Sequence, residues 1–169
     1  HVGRRVKKLV HDNEGNETST EFTYDGWNVI AELTQSPGHQ VTPSLNTWGR
    51  DLSGSLQAAG GVSGLLASES VGGQRSVVVY PSHDANGNIS QLVAKDAEIL
   101  AAYEYDPFGN VSASSGELAD VNPWQFSSKY FDEETGMNYY GFRYYLPETG
   151  RWASSCLLYT SDAADEVLG

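Results

Sequence analysis

Few side chains in this sequence have the types and spacing to do chemistry. The consecutive acids Asp132, Glu133 and Glu134 could serve as paired glycosidase carboxylates or as oxygen ligands for a metal. They lie in a turn that ends at Gly136, where adjacent acids read first as solvated turn residues. Glu148 repeats the position of Glu134 in a second copy of the same phrase, which points to a role in the repeated unit. His83-Asp84 could be an acid–base pair, but no Ser or Cys nucleophile sits in a recognisable elbow. His11, His39 and His83 lack ligand spacing, and Gly54 and Gly60-Gly61 lead into no Gly-Lys-Ser/Thr phosphate loop. Tyr139-Tyr140, Tyr144-Tyr145 and Trp152 could stack a sugar ring. Aromatic pairing across strands accounts for them more simply. Arg143, between Phe142 and Tyr144, is placed to stack on an aromatic ring or to pair with an acid, and we read it as structural. These residues specify no catalyst, cofactor or metal.

The elements that carry them are strand–turn–strand units. Tyr130 to Gly136 (YFDEETG) and Tyr144 to Gly150 (YYLPETG) repeat one phrase, each followed by another apolar or aromatic run. Echoes lie upstream at Tyr24-Asp25-Gly26 and Tyr105-Asp106-Pro107-Phe108-Gly109-Asn110, the latter with Pro at the first corner of a turn and Gly at the second. Strands are predicted over 4–11, 20–24, 27–33, 45–48, 65–69, 76–80, 89–94, 99–105 and 125–129. Residues 34–43 read as a polar loop broken by Pro37-Gly38 and Pro43, and 112–120 as a soft polar loop. The glycine-rich stretch 51–64 makes a helix costly and reads as an irregular, closely packed connection. Hairpin after hairpin at short intervals predicts an all-β, quasi-repetitive architecture in which each unit stacks on its neighbours.

Composition agrees. Eighteen Gly, with ten Tyr and four Trp against five Phe, suit short strands and tight turns. A net charge of −12 disfavours nucleic acid, and no apolar run is long enough to insert in a membrane. The basic cluster Arg4-Arg5 and Lys7-Lys8 reads as a solvated strand face. The single cysteine, Cys156, excludes an internal disulfide. The chain opens on His1 rather than Met, as expected of a piece that starts mid-protein.

YDGWNVIAEL (24–33), WGRDLSGSLQAAGGVSGLL (48–66), HDANGNISQLV (83–93), YEYDPFGNV (103–111) and NPWQFSSKYFDEETGMNYYGFRYYLPETGRW (122–152) resemble, in order, the core region of the Rhs/YD-repeat family. The resemblance covers nearly all of 2–155. It implies consecutive antiparallel hairpins that form part of an open, spiralling β-shell in a large secreted or surface bacterial protein. It implies partners as well: the remainder of the shell, an enclosed C-terminal toxin domain and secretion machinery. Carbohydrate or another cell would be the partner if the parent were instead a surface-binding protein. The expected role is structural, without catalysis. It falls on Tyr24, Asp25, Gly26, Tyr105, Asp106, Pro107, Gly109, Asp132, Glu134, Gly136, Tyr139, Tyr140, Arg143, Tyr144, Tyr145, Glu148, Gly150 and Trp152.

Two features depart from the family pattern. Leu146 occupies the place of Asp132 in the second copy, where the family writes Tyr-Asp-Pro; losing a carboxylate that accepts turn amides predicts a weakened turn and an apolar residue near the surface. After Ser155, Cys156 to Asp165 resembles a translated sequencing adapter rather than the Asp-Pro-containing self-cleavage segment of the family. We therefore divide the chain into a core fragment, 1–155, and a non-native tail, 156–169.

Overall fold

The computed structural model describes residues 3–72 and 75–154. The predicted tail lies outside them. Nine strands form one antiparallel sheet in chain order: β1 (Lys7–His11), β2 (Glu17–Asp25), β3 (Asn28–Gln35), β4 (Thr42–Trp48), β5 (Leu65–Gly72), β6 (Arg75–His83), β7 (Ile89–Ala94), β8 (Ile99–Tyr105) and β9 (Val111–Ser115). Four short strands make a second sheet: β10 (Tyr130–Asp132), β11 (Met137–Tyr139), β12 (Tyr144–Leu146) and β13 (Arg151–Trp152). Every pairing is antiparallel between chain neighbours and the large sheet does not close, so the fold is all-β and open, built from consecutive hairpins. Among the described residues no helix is long and apolar enough to cross a membrane.

Three hairpin turns share one design, Asp-x-x-Gly-Asn, at Asp12–Asn16, Asp84–Asn88 and Asp106–Asn110. In the last, the Asp106 carboxylate accepts from the Phe108 and Asn110 amides at 2.8 and 3.0 Å and from the Asn110 side chain at 2.7 Å. Asp12 and Asp84 accept the equivalent bonds. Such bonds favour the charged carboxylate. The Asn16 and Asn110 side chains, before the backbone amides, hold Asp12 and Asp106 below the ordinary carboxylate range. The Gly109 amide donates to the Asp106 carbonyl at 3.1 Å, so Phe108 takes the second corner and Gly109 follows it at φ +93°. This corrects the expected placement of the glycine.

Other boundaries also move. Strand β4 begins at Thr42 and includes Pro43, which pairs with Leu33; the β4–β5 ladder starts only at Ser44. Pro81 likewise lies inside β6, paired with Leu92, past the end of the β5–β6 ladder at Val79. A proline without an N–H fits where one neighbour's ladder has stopped. The soft loop contains β9, all five residues of which are exposed. Residues Phe126–Ser128 form a 3-10 turn rather than a strand, with Ser127 and Ser128 at positive φ. Residues 51–64 are irregular, as expected: Asp51 accepts from the Ser53, Ala59 and Gly61 amides.

The core lies between one face of the large sheet and the segment 118–139. Phe22, Val29, Leu65, Val79, Leu92 and Ala101 face Trp124, Tyr130 and Tyr139. Trp124 meets Trp48 edge-on at 5.3 Å and Tyr130 at 5.4 Å, and Tyr130 meets Phe22 at 5.4 Å. Such contacts add about 0.5–1.5 kcal/mol each beyond burial.

Backbone conformation sets opposite expectations at two turns. A Cβ at Gly109 would meet the Phe126 ring at 2.6 Å in a left-handed backbone, so Gly109→Ala should cost about 1–3 kcal/mol in urea denaturation. Ala97 holds φ +68° with a Cβ, so Ala97→Gly should gain about 0.5–1 kcal/mol in the same measurement.

Candidate functional site

The two copies of the repeated phrase grip the large sheet at opposite ends. The first copy reaches the N-terminal strand. Arg5 Nη1 pairs with Asp132 Oδ2 at 2.5 Å, and Lys8 Nζ bridges Asp132 Oδ1 and Glu134 Oε1, each at 3.1 Å. Asp132 is 2% exposed. The Arg5 guanidinium lies over the rings of Tyr139, Phe22 and Tyr130 at 4.5, 4.6 and 5.0 Å. Its backbone N–H donates to the Tyr139 hydroxyl, and its carbonyl accepts from the Tyr24 hydroxyl, both at 2.7 Å. A planar, delocalised guanidinium suits this three-ring cage better than a hydrated ammonium would.

The second copy reaches the far end. The Tyr145 hydroxyl donates to the Phe108 carbonyl at 2.8 Å, and Asn110 Nδ2 donates to the Pro147 carbonyl at 3.1 Å. Gly150, at φ +66°, lets the Phe108 ring approach within 2.7 Å of where a Cβ would stand. The small sheet therefore bridges β1 and the β8–β9 turn, spanning the strand order of the large sheet.

This geometry overturns two expectations. Arg5 and Lys8 are not a solvated strand face: their side chains are 11% and 17% exposed and they hold the buried pair. Asp132 is not a solvated turn residue, and its carboxylate turns to Arg5 and Lys8 rather than to the turn amides; the Thr135 and Gly136 amides donate to its carbonyl instead. At Leu146 the second copy therefore lacks the carboxylate that Asp132 uses for ion pairing rather than for capping its turn. Leu146 is half-buried, at the start of a 3-10 turn (Pro147–Thr149) without side-chain capping.

The remaining predicted residues distribute around these grips. Asp25, Gly26 and Trp27 form a turn clasped by Gln57, whose Nε2 donates to the Asp25 carbonyl at 2.9 Å and whose Oε1 accepts from the Trp27 amide at 2.7 Å. Tyr105 donates to the Ile89 carbonyl, and Pro107 is exposed at its turn. Gly136 takes φ +67° in the first copy. Tyr140, Tyr145 and Trp152 pack edge-to-face at 5.0 to 6.1 Å, Tyr139 and Tyr144 pair at 5.2 Å, and Arg143 covers Trp152 at 3.9 Å. Glu148 is exposed, whereas Glu134 is ion-paired.

His83 and Asp84 share no side-chain hydrogen bond. The Asp84 carboxylate is committed to its turn, and His83 Nε2 is buried without a partner. Burial pushes the His83 imidazole below its usual range against the pull of Asp84. Among the described residues no group of three His, Cys, Asp or Glu could hold a metal. Lys129 is a further buried group that local sequence did not flag. Its Nζ donates to the Gly60 carbonyl and lies 5.4 Å from the Tyr140 ring; burial, opposed by Asp51, lowers its pKa to about 8.

Fold and site define a class: an open sheet of consecutive antiparallel hairpins, braced end to end by a small docked sheet. The crystal structure of TcdB2–TccC3 without its hypervariable C-terminal region contains this fold, with a TM-score of 0.70 at 22% identity over 92% of this chain and 7% of that one. By sequence, the chain is 30% identical over 154 residues to the tRNA3(Ser)-specific nuclease WapA of Bacillus spizizenii, covering 90% of this chain and 6% of that protein. It is 39% identical over 79 residues to Toxin subunit YenC1 of Yersinia entomophaga, covering 45% of this chain and 8% of that protein. The chain thus spans less than a tenth of each relative. No protein-family model matches it.

Two measurements probe the site. Asp132→Asn leaves Arg5 buried and uncompensated and should cost about 3–5 kcal/mol in urea denaturation, whereas Arg5→Met combined with Asp132→Leu should cost less than the two single changes together. For Lys129 the folded pKa lies below the unfolded value of about 10.4, so between about pH 8 and that value the unfolded chain binds the extra proton and stability rises with pH. Urea midpoints should climb across that window, and Lys129→Met should flatten the rise.

Proposed function

We propose that this chain is a segment of an Rhs-type toxin component, part of a β-shell that encloses a C-terminal toxin cargo. The observation that carries the proposal is the bracing of an open nine-stranded sheet by a four-stranded one at both ends. An open sheet stiffened at both ends is what the wall of a container requires. Sequence likeness to a toxin subunit and the shared fold with TcdB2–TccC3 support the reading. In this reading the segment is a scaffold without catalysis of its own, working in a secreted or surface-exported parent. The nuclease activity named for the Bacillus relative would then belong to a part outside the matched 6%.

The binding-protein alternative is less favoured. The aromatic faces that would stack a sugar are occupied by one another and by Arg143, although Trp152 stays 41% exposed.

Limited proteolysis of the parent protein tests the proposal. Its C-terminal region should resist protease while the shell is intact and become labile when Asp132→Asn loosens the brace. Immediate digestion in the wild type, together with firm binding on a glycan array, would favour the surface-binding reading instead.

A further inference from the structure

A cavity of about 260 Å³ opens between the sheet face of β3 to β7 and the segment 118–124. Its polar lining includes Glu32, Ser44 and Ser70, directly paired across neighbouring strands, with Ser68 beside them and Asn122, already bonded to Trp124 and Tyr103, on the covering segment. Val79 and Leu92 form the apolar wall, and Val121 stands opposite. Glu32 is 5% exposed. Asn46 orients toward it through a relay: its Nδ2 donates to Glu32 Oε1 at 3.0 Å while its Oδ1 accepts from the Ser68 hydroxyl at 2.9 Å.

A buried carboxylate is costly unless it is paired. The chain's own compensation falls short: burial raises the Glu32 pKa despite the Asn46 hydrogen bond and weaker help from Tyr130, Arg5 and Trp124. Of these, Arg5 and Tyr130 are the charged and titratable groups facing it, and Arg5 is already paired with Asp132. A cation entering the cavity would supply the missing partner, and the chain's net charge of −12 would draw it there.

We propose that this cavity binds a compact alkyl cation, an ammonium or guanidinium on a short aliphatic stem, with Glu32 as its counter-ion. The serine hydroxyls accept the remaining N–H groups, and Val79, Leu92 and Val121 cover the stem. The inference stands on these residues and is independent of the shell reading.

Titrating n-butylguanidinium into the 169-residue chain, followed by the amide NMR shifts of Ser44, Ser68 and Ser70, tests it. Saturable shifts should appear, and binding should tighten as pH rises through the Glu32 titration. Neutral n-butylurea should bind about tenfold more weakly or worse, and Glu32→Gln should lose a similar factor. Because Glu32 lies in the core, Val77→Trp at the cavity lining is the second variant, expected to abolish binding while the sheet stays folded. A blocked Gly-Arg-Gly peptide distinguishes the sources: tighter binding than n-butylguanidinium assigns the site to a polypeptide side chain, and weaker binding assigns it to a free amine. Equal binding of the cation and the urea, absence of saturable shifts, or unchanged affinity in folded Val77→Trp overturns the proposal.

Discussion

The buried contact between Arg5 and Asp132 sets how the two sheets can meet. It joins residues 127 positions apart and fixes the small sheet against the first strand of the large one. Two desolvated charges cost several kcal/mol each, and the pair is tolerable only because the geometry is close and the guanidinium faces are covered. Here three aromatic rings cover them and Lys8 takes the second carboxylate oxygen. Such a pair contributes little net stability. It is unforgiving of any other placement of the first copy.

The second copy works by different chemistry. Neutral hydrogen bonds and a close ring–glycine contact secure it to the turn at 106–110. That turn is rigid because one carboxylate satisfies three donors, and it offers the Phe108 carbonyl at a defined position. A charged latch at one end and a neutral one at the other let a single repeated phrase hold two unlike surfaces. Leu146 is compatible with this docking, which runs through Tyr145, Pro147 and Gly150 and uses no carboxylate at that position. Glu148, free of the pairing that engages Glu134, follows the same logic.

The aromatic residues have a corresponding division of labour. Tyr130, Tyr139 and Trp124 are buried and fill the space between the sheets, whereas Tyr140, Tyr145 and Trp152 cluster nearer solvent on the small sheet. Amphipathic rings can do both, because a hydroxyl or indole N–H finds a carbonyl even where the ring is buried. Trp48 donates to the Val29 carbonyl and Tyr103 to the Ala119 carbonyl in this way.

Local pattern was enough to reveal the hairpins, the irregular glycine-rich connection and the repeated phrase, because alternation and turn chemistry act over a few residues. The Asp-x-x-Gly-Asn turns are also present in the sequence as a threefold signature. Strand ends at Pro43 and Pro81 escape local pattern because a proline is excluded only where both neighbouring ladders continue, and ladder length is a property of the assembled sheet. The roles of Arg5, Lys8, Asp132, Glu32 and Lys129 were invisible for a related reason. A charged residue in a turn or strand looks solvated until its partner arrives from more than a hundred positions away, as Asp132 does for Arg5, or until a distant segment packs beside it, as the one carrying Trp124 does beside Glu32. The succession of antiparallel hairpins follows from local pattern alone, since period and turn residues act over a few positions. Which charges are buried, and what the two copies grip, is set by the assembled sheets, since desolvation and ion pairing exist only once they have met.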